Sequence, residues 1–330
     1  MRCAVIGGGA WGTALANVLG ANGHSVALWA REPDVVASVN DARENRRFLA
    51  GVCIDERVRA TEDMSDAVRG AALVTYAAPS HALRDVAERG AHSVEKDAIL
   101  LVATKGIERG SLAVMTDVVG EALPGHAVVA LSGPTFAAEV AHGQPTAVVA
   151  ASTNAEAAAV VQRVLSSEVF RVYRHDDVTG VELGGALKNV MAIATGIAEG
   201  LELGHNSRAA LITRGLAEMT RLGVALGASP ATFAGLAGLG DLVLTCTGAL
   251  SRNRALGVEI GRGKTREEAL EGKDTVAEGV LNTISTRALA EREGVDMPIV
   301  WAVHRILFEG QPPRLAISEL MTRELRAEQD

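Results

Sequence analysis

Cysteine is nearly missing from this chain of 330 residues, and so are aromatic side chains, which make up 3% of it. The three cysteines, Cys3, Cys53 and Cys246, are odd in number and far apart. They show neither a disulfide framework nor a metal-ligand spacing, which excludes a small disulfide-stapled fold and a zinc module. No apolar run reaches the roughly 18 residues needed to cross a membrane. Residues 1–6 pass straight into a glycine-rich turn, without the apolar core and small-residue cleavage site of a secretory leader. These absences predict a cytoplasmic protein with no integral membrane association. Basic charge is not in excess either. The formal net charge is −8 at pH 7, which argues against nucleic acid as a partner. Lysine is scarce: Lys96, Lys105, Lys188, Lys264 and Lys273 stand among 32 lysines and arginines. Lys105 and Lys188 lie beside apolar runs, where the adjustable pKa of an ammonium is a reason to prefer it to a guanidinium.

What is present suits a folded protein. Hydrophobic residues, mostly Ala, Val and Leu, make up 48% of the chain, enough for packed cores and against disorder. A chain of this length holds two domains at ~100–200 residues each. No repeat or low-complexity tract interrupts it.

Residues 2–6 read as an apolar strand. Gly7-Gly8-Gly9-Ala10-Trp11-Gly12 follows, then a helical run from Thr13, a stop at Asn22-Gly23 and a second strand over 25–29. Strand, G-x-G-x-x-G, helix and strand in succession form a specific dinucleotide-binding pattern. Gly7 permits the tight turn, Gly9 lets a pyrophosphate approach the backbone, and Gly12 lets helix and strand pack closely. Amides at the helix N-terminus then hold the phosphates. An acid at the end of the second strand usually selects NAD. Here Arg31 takes that place, and its guanidinium suits the 2′-phosphate of NADP. Glu32 beside it tempers the argument, so NADP is preferred and NAD remains open.

Strand-like segments recur near 57–60, 71–77 and 98–103, with helical segments near 33–42, 63–69 and 80–90. This alternation predicts a Rossmann-like, doubly wound parallel α/β sheet, whose ligands bind at the carboxyl ends of the strands. Lys105 follows such a strand end and is expected to face the ligand crevice. A strand over 128–131 ends at Ser132-Gly133-Pro134-Thr135-Phe136-Ala137. Proline just inside a helix start leaves free amides, either a second anion site or plain capping. Strands near 145–151 and 169–173 flank a helix over 155–166. The first domain therefore covers 1–176.

From 177 to 330 the periodicity is helical, giving an all-helical second domain. Its opening helix, near 177–200, sets Leu183, Ala186, Val190, Ile193 and Ile197 along one side. Gly184, Gly185, Lys188, Ala192 and Thr195 fall on the other. Glycine in a helix costs ~1 kcal/mol against alanine. Two glycines beside a lysine point either to something approaching the backbone closely, or to close helix packing with Lys188 snorkelling to water. Asn206-Ser207 is expected to cap a helix ending at Leu222. A glycine-rich segment covers 235–248 and a polar link runs from 251 through 273. Helices follow near 275–293, 298–308 and 313–326.

Reducing a carbonyl by hydride transfer needs a proton donor beside the carbonyl oxygen. A lysine whose pKa is lowered by burial or by a second cation suits that role, and Lys188 with Lys105 offers the pair. Asp241 suits orienting an ammonium, or capping the helix that follows. Arg252 and Asn253 suit an anionic substrate group, or a solvated loop.

Six segments together resemble NAD(P)-dependent glycerol-3-phosphate dehydrogenase of the bacterial type. They are Gly7–Ala16, Ala103–Gly106, Ser132–Ala137, Gly185–Val190, Ala237–Leu242 and Ser251–Arg254, in order and spanning nearly the whole chain. The resemblance implies reduction of dihydroxyacetone phosphate to sn-glycerol 3-phosphate, a phospholipid precursor, by a metal-free homodimer. It implies that Lys188 is the proton donor and acceptor. By the same resemblance Lys105, Gly133, Thr135, Lys188, Asp241, Ser251, Arg252 and Asn253 contact substrate. Ala10, Trp11, Arg31, Lys105, Ala137, Arg252, Val276 and Glu278 join the three glycines at the cofactor. The family often has serine where this chain has Ala10, so a contact there runs through the backbone. Two other readings share the architecture. A β-hydroxyacid dehydrogenase would need a carboxylate site rather than a phosphate site, and a nicotinamide-binding regulator would bind without turnover.

Overall fold

The computed structural model describes residues 1–272, 278–325, 327 and 328. It divides into two compact units, Met1–Ala186 with Gly227–Asp241, and Leu187–Leu226 with the chain from Leu242 onward.

Among the described residues, the first unit holds one eight-stranded sheet. Its strands are β1 (Arg2–Ile6), β2 (Ser25–Trp29), β3 (Val58–Thr61), β4 (Leu73–Tyr76), β5 (Ile99–Val102), β6 (Ala127–Ser132), β7 (Thr146–Ala151) and β8 (Phe170–His175). Their order is β3-β2-β1-β4-β5-β6-β7-β8. Neighbours are parallel except β6 and β7, which run antiparallel with Leu131 opposite Ala150. That pair departs from the all-parallel expectation. The link over 133–145 contains only the five-residue α6 (Ala137–Ala141), so the chain re-enters the sheet at the end it has just left.

Both faces of the sheet are covered. Along β1, Cys3 and Val5 enter one core with residues of α1 (Ala10–Ala21), α2 (Pro33–Ala42) and α7 (Ala155–Leu165). Ala4 and Ile6 enter the other with α3 (Met64–Val68), α4 (Leu83–Gly90) and α5 (Met115–Ala122). This is the period of two expected of a pleated strand buried on both sides. β1 lies between β2 and β4, where the winding reverses, the switch point at whose strand ends doubly wound sheets bind their ligands.

α8 (Val178–Gly200) begins in the first unit and continues into the second. After it come α9 (His205–Ala225), α10 (Pro230–Phe233), a π turn over Leu236–Gly240, α11 (Asp241–Thr247) and α12 (Arg252–Gly261). α13 (Arg266–Leu270), α14 (Glu278–Glu293), α15 (Pro298–Phe308) and α16 (Pro313–Met321) complete the order. Gly196 and Gly200 of α8 lie against Gly257 and Gly261 of α12. A Cβ on Gly196 would stand 2.1 Å from the Arg254 carbonyl oxygen, so two backbones touch where side chains normally intervene.

Three local expectations are corrected. α9 starts at His205 behind Gly204, continues past Leu222 to Ala225, and takes Gly223 inside it. The glycine-rich 235–248 is largely helical. The supposed polar link is α12 and α13, capped by Ser251 and by the reciprocal Thr265–Glu268 box. Among the described residues, the stretch Pro230–Thr247 reaches by length and mean hydropathy alone what a membrane-crossing helix needs, but it carries Asp241 and is broken into α10, the π turn and α11. Of this stretch 44% is buried.

Candidate active site

The glycine turn after β1 is shaped by exclusion. Gly7 has φ +127°, and a Cβ there would press to 2.8 Å from the Ala77 carbonyl. A Cβ on Gly12 would stand 1.9 Å from the Gly7 oxygen. Gly9 is the opposite case, with nothing within 4 Å of where its Cβ would be. It is the N-cap of α1, no side chain caps that end, and no acid stands in its first turn. The first amides therefore face open space with their donors available, a cradle that fits a pyrophosphate.

Asn45 holds this turn from behind. It is fully buried, and its amide donates to the Gly8 oxygen and to Thr13 Oγ1, both at 2.8 Å. Its Oδ1 accepts from the Phe48 amide at 3.1 Å. In the sequence Asn45 is one polar residue in a polar stretch, and no motif singles it out. Trp11 donates its indole N–H to the Ala103 oxygen at 3.2 Å, tying the first turn of α1 to the end of β5. Arg31 is exposed beyond β2, and its guanidinium is held by Glu32 at 2.9 Å. Ala137 begins α6, three residues beyond Pro134, so the proline precedes that helix rather than opening it.

Lys105 is the polar centre of the first unit. The Thr104 hydroxyl donates to the Ala78 oxygen at 2.7 Å and locks the end of β5 to the end of β4. Lys105 Nζ then donates to Asp241 Oδ2 at 2.6 Å and to the Gly133 oxygen at 3.0 Å. Asp241 is wholly buried, so its charge is held by pairing. It opens α11, and its carboxylate serves the ammonium. The Gly133 oxygen also accepts from Thr135 Oγ1 at 3.2 Å. α8 closes in at Gly185, where a Cβ would meet Ser132 Oγ at 2.6 Å and Lys105 Cδ at 3.3 Å. The Ser132 hydroxyl is buried without a hydrogen-bond partner among the described residues. Lys105, Gly133, Thr135 and Asp241 are thus brought together at the ends of β5 and β6.

The second unit gathers other expected residues. Lys188 is buried in α8. Asn253 donates to Asn189 Oδ1 at 2.9 Å and accepts from the Gly279 amide at 3.0 Å, so it ties α12 to α8 and α14. Ser251 accepts from the Arg254 amide at 3.2 Å as the N-cap of α12. Arg254 pairs with Glu199 at 2.5 Å, and that ion pair holds the Glu199 carboxyl below the usual carboxylate range. Arg252 is exposed and Glu278 opens α14. Val276 lies outside the described residues.

Two buried acids have no counterpart among the residues expected from sequence. Glu182, on α8, accepts from the Thr116 amide at 2.9 Å and from the Thr116 hydroxyl, and burial pushes its carboxyl up to about 7. Glu218, on α9, accepts from the Ile299 amide at 2.8 Å at the start of α15, and burial pushes it to about 8.

Comparison with known proteins covers both parts of the chain. The family model described as NAD-dependent glycerol-3-phosphate dehydrogenase N-terminus matches residues 2–158. The corresponding C-terminus model matches 177–318. A glycerol-3-phosphate dehydrogenase [NAD(P)+] of Citrifermentans bemidjiense is 52% identical over 330 residues, covering 99% of this chain and 98% of that protein. One of Trichlorobacter lovleyi is 53% identical over 333 residues, covering 100% of both. A crystal structure of glycerol-3-phosphate dehydrogenase from Coxiella burnetii superposes with a TM-score of 0.94 at 42% identity, covering 98% of this chain and 99% of that one.

Proposed function

We propose a function from one premise: this chain belongs to the NAD-dependent glycerol-3-phosphate dehydrogenase family. It reduces dihydroxyacetone phosphate to sn-glycerol 3-phosphate, reversibly, with NADPH preferred and NADH accepted. The observation that carries this reading is the Lys105–Asp241 pair at the ends of β5 and β6, beside a glycine cradle built for a dinucleotide.

The amides that follow Gly9 hold the pyrophosphate, with Ala10 contributing only its backbone and Trp11 keeping the α1 turn against the end of β5. Arg31 holds the 2′-phosphate of NADP. Its exposed pair with Glu32 is worth at most ~1 kcal/mol, so a phosphate can displace it. When bound, the nicotinamide supplies the hydride that reaches the substrate carbonyl carbon. Lys188 gives the carbonyl oxygen its proton and takes it back in the reverse direction. It follows Gly185 by three residues on one unbroken helix, so the two share a helix side. Lys105, fixed by Asp241 and the Gly133 oxygen, presents a positioned positive charge to the same substrate. Thr135, Ser251, Arg252 and Asn253 complete the substrate contacts, with Arg252 offering a fork to the phosphate. Ala137, Val276 and Glu278 complete the cofactor contacts. We take the substrate domain to begin at 177, and the working form to be a cytoplasmic homodimer that feeds glycerophospholipid synthesis.

The test is loss of NADPH absorbance on adding dihydroxyacetone phosphate, with wild type and Lys188→Ala. Turnover by the wild type and a kcat lower by ~10²-fold or more in the variant are expected, the scale of a general acid. A wild type inert with both cofactors rejects the reading. A Lys188→Ala loss below about 5-fold returns Lys188 to a packing role.

A further inference from the structure

The Lys105–Asp241 pair joins residues 136 positions apart, and something must bring the second to the first. Asp241 ends an excursion, Gly227–Asp241, that leaves the helical part of the chain to join the first unit. We infer that Asp177 is the positioning residue of that excursion, and through it of the Lys105–Asp241 pair. This deepens the proposed function and rests on it.

Asp177 stands just before α8, and its carboxylate is shared between two jobs. Oδ1 accepts from the Gly180 amide at 2.8 Å, which caps the helix that carries Gly185. Oδ2 accepts from the Ser229 amide at 2.9 Å and from Thr232 Oγ1 at 2.5 Å, both at the start of the excursion. One side chain therefore fixes the beginning of α8 and the beginning of the segment that ends at Asp241.

From that anchor the path is confined. Gly180 must lack a side chain, since a Cβ would stand 2.3 Å from Asp177 Oδ2 and 2.9 Å from Thr232 Cγ2. Phe233 is buried, and Gly238 folds onto its backbone so tightly that a Cβ would stand 2.2 Å from the Phe233 oxygen. Ala237 packs in a cluster with Val181 and Val149, and Gly184 meets its carbonyl, where a Cβ would stand 2.5 Å away. The excursion thus lies along Gly180 and Gly184, one turn apart on α8. Gly185, the next residue, abuts the Lys105 stem. The apolar contacts set the depth of the segment. The Asp177 bonds set its start, and a slip there moves Asp241 relative to Lys105 Nζ.

The experiment is a double-variant cycle read in kcat/KM for dihydroxyacetone phosphate. Asp177→Asn keeps an acceptor for Gly180 but turns the other arm into a donor facing the Ser229 amide. It should lower kcat/KM by ~10-fold or more, because a displacement near 1 Å costs up to ~10²-fold, while KM for NADPH stays put. In an Asp241→Asn background the same change should cost less than about 2-fold, since the pair it serves is already broken. Thr232→Val should behave as a weaker Asp177→Asn, and Thr232→Ser should restore activity. Thr232→Val carries the cycle if Asp177→Asn does not fold. Equal losses in both backgrounds overturn the inference and leave Asp177 a purely structural cap. A wild type inert with both cofactors overturns the functional reading instead.

Discussion

Adding one methyl group at Gly185 separates stability from activity in this fold. In Gly185→Ala the new Cβ would lie 2.6 Å from Ser132 Oγ and 3.3 Å from Lys105 Cδ. Alanine improves helix propensity by ~1 kcal/mol. Overpacking a buried site costs ~1–3 kcal/mol. The two nearly cancel, and the thermal midpoint should move by only a few degrees, at ~2–4 °C per kcal/mol for a domain of this size. Activity has no such offset. To restore ordinary separations the Ser132 hydroxyl must retreat by roughly 1 Å, and the Lys105 stem beside it by a few tenths of an ångström. That displacement draws Nζ from Asp241 and should cost ~10²-fold in kcat/KM for dihydroxyacetone phosphate. Ser132 supplies the control. Its hydroxyl has no hydrogen-bond partner among the described residues, so Ser132→Ala empties the space the new methyl needs without breaking a bond seen there. The double variant Gly185→Ala/Ser132→Ala should recover to within about 10-fold of the wild type. Steady-state kinetics beside thermal unfolding decides the matter. Wild-type kcat/KM in Gly185→Ala, or no recovery in the double variant, refutes the claim that Gly185 is glycine because Ser132 and Lys105 occupy its side-chain space.

Further outcomes follow from other residues. Glu218 and Glu182 are pushed up to about 8 and about 7 in the folded chain from an ordinary 4.5. The folded state therefore binds their protons more tightly than the unfolded one, and stability falls as pH rises from about 4.5 through those values. Glu218→Gln, measured by urea unfolding at pH 5 and pH 8, should remove several kcal/mol of that dependence, since each tenfold difference in proton affinity is worth ~1.4 kcal/mol. An unchanged pH slope refutes the assignment. Arg31→Asp should lower the ratio of kcat/KM for NADPH over NADH by ~10-fold or more, and an unmoved ratio removes Arg31 from cofactor selection. Asn45→Ala removes the 2.8 Å bond to the buried Gly8 oxygen and leaves it only the long 3.4 Å bond from the Thr13 hydroxyl, at a cost of ~1–3 kcal/mol. Calorimetric Kd for NADPH should weaken by ~10-fold, and equal binding would show that the turn holds without it.

Much of this site is legible in the sequence because local chemistry dictates it. Gly7, Gly9 and Gly12 announce a turn that only glycine can make, and Lys105 follows a strand whose end faces the crevice in any doubly wound sheet. Asp241 is visible only as an acid on a glycine-rich turn. Its partner is 136 residues away, and no periodicity encodes such a pairing. Asn45, Asp177, Glu182 and Glu218 stay hidden for the same reason, since each takes at least one partner from elsewhere in the fold. The helices that read as loop or link share another cause. In α12 and around the π turn the buried face is made partly of Gly257, Gly261 and Gly238. Where backbone rather than side chain fills the core, the apolar repeat that marks a helix disappears.

The glycines of α8 also bear on how the chain becomes active. Gly180, Gly184, Gly185, Gly196 and Gly200 each subtract ~1 kcal/mol from helix formation, a deficit of about 5 kcal/mol in a single helix. Cut free, this segment would be coil. It is ordered by the surfaces that press on those five positions, the 227–241 excursion, Ser132 and Lys105 on its first turns and α12 on its last. The segment bearing Lys188 should therefore be among the last to order as the chain folds. Amide exchange would find its protection arriving with the global transition, and a partly folded chain, however well its sheet is formed, would be catalytically silent.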